Sequence, residues 1–230
     1  METYPDERDD TLTEEVSICL RSAGAELVGF AEPTHFGKYG GGFRPENILP
    51  TTRTVIVIGS HLFDPMPDAW VEYGPWNRPR SFLDELLLGA AQSACLMLER
   101  HGFRSETVPY QPGLLLKNAA AIAGMGFIGQ NNLFVSAMYG PRVRLRAAAT
   151  EAPLVCGTPA AFRPECQDCV KCIEACPAKA LSEAGYSYNR CLAYQRGHLL
   201  SPFRGATIWC NICADVCPVG RKGFGSTTPA

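Results

Sequence analysis

The sequence has no apolar run long enough to cross a bilayer. Its longest, around residues 86–98, is interrupted by Gln92 and Ser93 and falls short of the ~20 residues a span needs. It has no excess of basic charge either: 21 Lys and Arg stand against 23 Asp and Glu, for a formal charge of -2. Without a basic run there is no electrostatic footprint of the kind that governs binding to a phosphate backbone. The composition therefore argues against a nucleic-acid partner and against a membrane. The first residues, METYPDERDDTLTEE, are acidic and lack a basic leader, an apolar stretch and a twin-arginine pair, so the chain reads as cytoplasmic. No histidine among His35, His61, His101 and His198 has a metal-like spacing, and no repeat exists beyond two cysteine runs. At 46% hydrophobic and 10% aromatic residues, disordered, collagen-like and coiled-coil classes are excluded.

What is present begins as an alternation of helices and strands. Thr11 or Thr13 is expected to cap a first helix carrying Val16, Ile18, Leu20 and Ala23 and stopping at Gly24, with a strand over 26–31 after it. Residues 33–50, with His35, Gly40–Gly42 and Arg44, have no period and read as a loop long enough to have a purpose. Residues 54–60, TVIVIGS, suit a strand buried on both faces. Ser81 and Asp84 resemble a capping box ahead of a helical stripe of Leu83, Leu86, Leu87, Ala90, Ala91, Ala94, Cys95 and Leu98 that ends at Gly102. A strand over 107–110, a helix over 114–123, and a strand pair, 133–138 with 143–150, complete the expected elements. The reading is an α+β fold with an α/β core over 1–155, a cysteine-rich module over 156–222 and a disordered tail over 223–230.

Cysteine is where the composition departs from the ordinary. Eight of eleven fall between Cys166 and Cys217, and in a reducing compartment crowded thiols bind metal more often than they pair. Cys166, Cys169, Cys172 and Cys176 with Pro177 spell C-x2-C-x2-C-x3-C-P, the ferredoxin spacing, in which three thiolates of the tight loop hold one cluster and the fourth faces a second. Such a run implies a partner, and Cys210, Cys213 and Cys217 with Pro218 supply one that is a thiolate short, since Thr207 occupies the missing place. Cys191 completes eight. The assignment is Cys166, Cys169, Cys172 and Cys217 to one [4Fe-4S] cluster and Cys176, Cys191, Cys210 and Cys213 to the other, with Cys156 as the alternative to Cys191. Two four-cysteine zinc sites are the competing reading, but these usually come as separated C-x2-C pairs. Cys19 and Cys95 lie on apolar helical faces as small core residues.

The stretch AGMGFIGQNNLFVSAMYGPRVRLRAAATEAPL, followed by the two cysteine runs, resembles the cobalamin-dependent iron-sulfur reductases: the epoxyqueuosine reductases of tRNA modification and, more distantly, the reductive dehalogenases. The resemblance is strong from Ala123 onward and looser before it, where RPENILPTTRTVIVIG matches best. It implies a nitroreductase-like α/β domain holding base-off cobalamin beside a two-cluster module that reduces cobalt. By the resemblance, Gly124, Gly126 and Gly129 let backbone pass close to a large flat ligand, although on spacing alone a helix cap and turn explain them. Gln130 and Asn131 stand where the family has Lys-Asn and are expected, with Tyr139, Arg142 and Arg144, to meet corrin amides or an anionic group. Where epoxyqueuosine reductases carry an acidic proton donor this chain has Tyr110, and where they carry a Glu it has Leu116; the chain also lacks the helical-repeat extension that helps those enzymes hold tRNA. Reductive dehalogenases use a Tyr beside a basic residue, and by that resemblance Tyr110 with Lys117 or an Arg is the expected acid, against the alternative of a tyrosine packed at a strand end. A phenol near pKa 10 can act as an acid if a cation stabilises the phenolate.

These residues imply a reductase that draws on a low-potential donor such as ferredoxin or flavodoxin and passes electrons through two clusters to cobalamin for reduction of a small molecule. The alternatives are a non-catalytic electron carrier or corrinoid-handling protein, and a truncated tRNA epoxyqueuosine reductase.

Overall fold

The computed structural model describes residues 7–62, 71–72, 79–80, 82–109, 113–159, 164–198 and 210–220. In chain order these form α1 (Asp10–Ser22), β1 (Leu27–Ala31), β2 (Thr54–His61), β3 (Val71–Glu72), β4 (Pro79–Arg80), α2 (Phe82–Arg100), β5 (Ser105–Thr107) and α3 (Leu116–Ile122). There follow β6 (Gly126–Ile128), β7 (Phe134–Ser136), β8 (Val143–Thr150), α4 (Pro164–Gln167), α5 (Lys171–Ala175), β9 (Leu181–Ser182), β10 (Gly185–Tyr186), α6 (Tyr188–His198) and α7 (Ile212–Asp215). The chain divides into two compact units, one of Met1–Ser60, Leu86–Met125 and Leu145–Ala160, the other of His61–Glu85, Gly126–Arg144 and Ala161–Ala230.

The first unit is built on a four-stranded sheet in the order β1-β2-β8-β5. β1 runs antiparallel to β2, from Leu27 opposite Gly59 to Ala31 opposite Val55, and β5 antiparallel to β8, from Ser105 opposite Thr150 to Thr107 opposite Ala148. All eight residues of β2 are buried, as its unbroken β-branched run requires of an interior strand covered on both faces. α1 contributes Leu12, Val16 and Leu20, a stripe at i, i+4 and i+8. Its cap is Asp9 rather than the expected Thr11 or Thr13: the Asp9 carboxylate accepts the Leu12 N–H at 2.9 Å. Thr13 instead donates its hydroxyl to the Asp9 carbonyl and accepts the Val155 N–H, holding α1 to the chain that follows β8. α2 buries Leu87, Ala90, Ala91, Ala94, Cys95 and Leu98 and stops at Gly102, whose φ is +87°. The expected cap at Ser81 lies outside the described residues. Residues 33–50 hold three short 3-10 turns, pinned by buried Pro33, Phe36, Pro45 and Leu49.

Two expected strands differ. β5 ends at Thr107, because the Ser105 hydroxyl bonds Thr150 Oγ1 at 2.8 Å and sets the register there. β7 does not pair with β8. It pairs with β6 in a ribbon, Phe127 opposite Val135, while β8, buried from Leu145 to Thr150, belongs inside the larger sheet. A run buried on both faces cannot be satisfied by a two-stranded ribbon. Where β2 begins, fully buried Thr54 donates its hydroxyl to the Ala152 carbonyl at 2.8 Å and accepts the Leu154 N–H and one Arg8 N–H.

The second unit contains the β6–β7 ribbon, the β3–β4 and β9–β10 hairpins, and the short helices α4 to α7. Around the cysteines its buried residues are Cys172, Cys176, Ala180 and Leu181, with Ile173, Ala178, Cys191, Cys213 and Val216 packed against them. Among the described residues no helix is long and apolar enough to cross a membrane.

Candidate metal centre and cofactor site

All eleven cysteines are free thiols. Cys166 on α4, Cys169 in the following turn, Cys172 on α5 and Cys217 beyond α7 line one recess with ≈ 370 Å³ of open space, part of it continuous with solvent. Its walls are Phe127, Val135, Pro218 and Val219, with Gln130, Asn131 and Lys171 at polar positions. Burial first, then the neighbouring sulfurs of Cys166, Cys169 and Cys217, push the Cys172 thiol above its ordinary range.

A second gathering involves Cys176, Cys191, Cys210 and Cys213. Burial pushes Cys213 up to about 12, and Cys210, Cys172, Cys176 and Cys191 add to it. Cys210 is raised by burial, with Cys191 and Cys176 beside it. Thiols crowded in this way resist ionisation unless a cation is held among them, because the thiolate is the ligand form. Eight soft sulfur donors in two gatherings, the first of them within apolar walls, form the donor set that thiolate-held iron takes. Among the described residues no group of three or more Cys, His, Asp or Glu side chains closes on a single-ion site. Cys95 is buried and Cys19 only half so. Cys156 sits among Arg8, Glu32 and Thr54 beside the sheet, its thiol pushed up to about 11 mainly by burial.

Residues 126–144 form a strap across the cysteine segment. The Gln130 Nε2 donates to the carbonyls of Cys166 and Gln167 at 2.5 and 2.7 Å, and the Asn131 Nδ2 to that of Cys213 at 3.4 Å, while Asn131 Oδ1 accepts the Leu133 N–H. Arg142 forms an ion pair with Asp215 on α7. Gly140, at φ +59°, lies against the Val219 carbonyl with no room for a Cβ. Tyr139 stacks on buried His61 with ring centroids 4.8 Å apart and planes 13° from parallel. The side chains expected to face a corrin thus spend their amides and guanidinium on the chain itself. The reason is tertiary: their partners lie 36 to 82 residues away, and Asp215, the partner of Arg142, carries no local signal.

The glycines are likewise used internally. Gly124 follows the last turn of α3 at φ +75°, and a Cβ there would stand 2.6 Å from the Thr158 carbonyl oxygen. Gly126 opens β6, where the Val135 carbonyl excludes a side chain, and Gly129 closes a turn against Asn131. Arg144 lies half-buried on β8. Lys117 is half-buried on α3, and burial lowers its ammonium pKa. Tyr110 lies outside the described residues. Sequence reasoning missed Gln195, buried one turn after Cys191 on α6, whose Nε2 donates to the Cys191 sulfur at 3.2 Å; the i, i+4 spacing was the signal.

No family model matches the chain. It is 27% identical over 199 residues to the epoxyqueuosine reductase of Prochlorococcus marinus, covering 80% of this chain and 62% of that protein. It is also 32% identical over 119 residues to the tetrachloroethene reductive dehalogenase of Sulfurospirillum multivorans, covering 43% and 22%. The chain therefore spans less than two thirds of the length of these curated relatives. Among solved structures, the epoxyqueuosine reductase of Streptococcus thermophilus superposes with a TM-score of 0.67 at 20% identity over 90% of this chain and 66% of that one. An epoxyqueuosine reductase bound to a tRNA-Tyr stem loop gives 0.64 at 22% over 92% and 66%. A reductive dehalogenase described with a B12-dependent mechanism gives 0.64 at 15% over 96% and 34%. In sequence the chain is similar to the epoxyqueuosine reductases and, over a shorter stretch, to a reductive dehalogenase, and it shares the mixed α/β fold of both.

Proposed function

We propose that this chain is an iron-sulfur reductase. Cys166, Cys169, Cys172 and Cys217 hold one [4Fe-4S] cluster and Cys176, Cys191, Cys210 and Cys213 the other. The observation that carries the reading is that Cys217, from the second cysteine run, lines the same recess as the first three cysteines of the first run. Single electrons from a low-potential donor such as ferredoxin or flavodoxin pass through the pair to an acceptor that reduces a small molecule. The acceptor we propose is cobalamin, which when bound would supply a reducible cobalt. Gln130, Asn131 and Arg142, proposed among its holders, each also bond within the cysteine unit. Tyr110, with Lys117, remains the proposed acid.

Anaerobic purification tests the clusters: roughly eight irons per chain and an EPR signal on reduction are expected, and a colourless or zinc-bearing protein overturns the reading. Titration with hydroxocobalamin tests the acceptor, and failure to bind leaves an electron carrier. Tyr110→Phe is expected to abolish turnover while leaving cluster spectra intact. A second reading, reduction of epoxyqueuosine in tRNA, is favoured by the epoxyqueuosine reductases among its relatives. It requires a strongly salt-dependent association with a tRNA stem loop.

A further inference from the structure

Cys191 differs from the other seven cysteines of the segment. It stands outside both cysteine runs, as the fourth residue of α6. Its own backbone cannot meet a charge on the sulfur, because the Cys191 N–H donates to the Ser187 carbonyl at 3.2 Å. Side chains must do the work instead. Gln195, one turn on and 7% exposed, donates its Nε2 to the Cys191 sulfur at 3.2 Å. The Oε1 of Gln195 is buried without a hydrogen-bond partner among the described residues. A carboxamide kept buried with half of its bonding unmet costs stability, and the bond it does make is to this sulfur.

We propose that Gln195 is a positioning residue that sets the reduction potential of the cluster held by Cys191, a proposal that rests on the iron-sulfur reading above. Adding one electron to a [4Fe-4S]2+ cluster gives [4Fe-4S]+ and increases the negative charge on its sulfurs. Donors aimed at a ligand sulfur favour that reduced form and raise the potential. The Ala180 N–H, which donates to the Cys176 sulfur at 3.3 Å, acts on the same cluster in the same direction. The cluster of Cys176, Cys191, Cys210 and Cys213 thereby holds electrons more firmly than it would without these bonds.

The test is a potentiometric EPR titration with dithionite of the full chain, purified anaerobically, as wild type, Gln195→Leu and Gln195→Met. Iron content is expected to stay constant, while for one cluster the ratio of reduced to oxidised form at fixed potential falls about three- to tenfold in each variant. Cys191→Ser identifies that cluster by erasing its signal. Unmoved potentials, or equal shifts in both clusters, overturn the proposal. Wild-type protein without iron overturns instead the reading beneath it. Should Gln195→Leu fail to accumulate, Gln195→Met, which keeps the side chain's length without its donor, carries the test.

Discussion

In the sheet unit every residue of β2 is buried, whereas around the cysteines the buried cluster consists of two cysteines, an alanine and a leucine. Four residues of β2, Val55, Ile56, Val57 and Ile58, are each at most 1% exposed and bring about 1.5–3 kcal/mol apiece by burial. The cysteine cluster has nothing comparable, and α4, α5 and α7 have four or five residues each, too short to be stable alone. The difference teaches that one region is held by the hydrophobic effect, while the other needs bonds its side chains cannot make among themselves. In the iron-sulfur reading those bonds are to iron, and binding energy is then folding energy.

The sharpest way to break this comparison is to remove the metal. Anaerobic chelation is expected to abolish amide-exchange protection across residues 166–217 and leave β2 protected; equal loss in both regions would unite what the comparison separates. Cys191→Ser comes next, taking about half of the iron and one EPR signal, with unchanged iron content counting against the ligand assignment. Ile56→Ala reverses the experiment: it should destabilise the sheet by about 2–5 kcal/mol in denaturant titration while iron per folded chain stays constant. Gln130→Met, which keeps length but removes both donors, is expected to release iron from one cluster about tenfold faster, the factor of roughly one net hydrogen bond, without weakening hydroxocobalamin binding. A weakened corrinoid affinity with intact clusters would restore Gln130 to the cofactor.

The smallest effect concerns pH. Burial, reinforced by Glu99 and Glu106, raises Cys95 from 9.0 to about 12. Between those values the unfolded chain loses the thiol proton and the folded one keeps it, so stability falls as pH rises through that window. Cys95→Ala should remove this part of the alkaline decline in thermal melts, and an unchanged slope would place the thiol in a more polar setting.

Legibility followed the range of the interactions. β2, the stripe of α2 and the position of α1 were readable because burial leaves a local period. The cap of α1 was misplaced by two to four residues because Asp9, Thr11 and Thr13 all have cap chemistry and only contacts such as that of Thr13 with Val155 separate their roles. Gln130, Asn131 and Arg142 were read as facing a cofactor because a polar side chain next to glycines advertises a donor without naming the acceptor.

What the sequence determined by itself is the cysteine spacing, the interior strand and the two long helices, each set by residues within a few positions of one another. The tertiary structure decided where β7 finds its partner, that residues 126–144 strap the cysteine segment, and that the sulfur of Cys191 is met by Gln195. Hydrogen bonds and packing choose among distant groups by geometry, and that geometry exists only once the chain has folded.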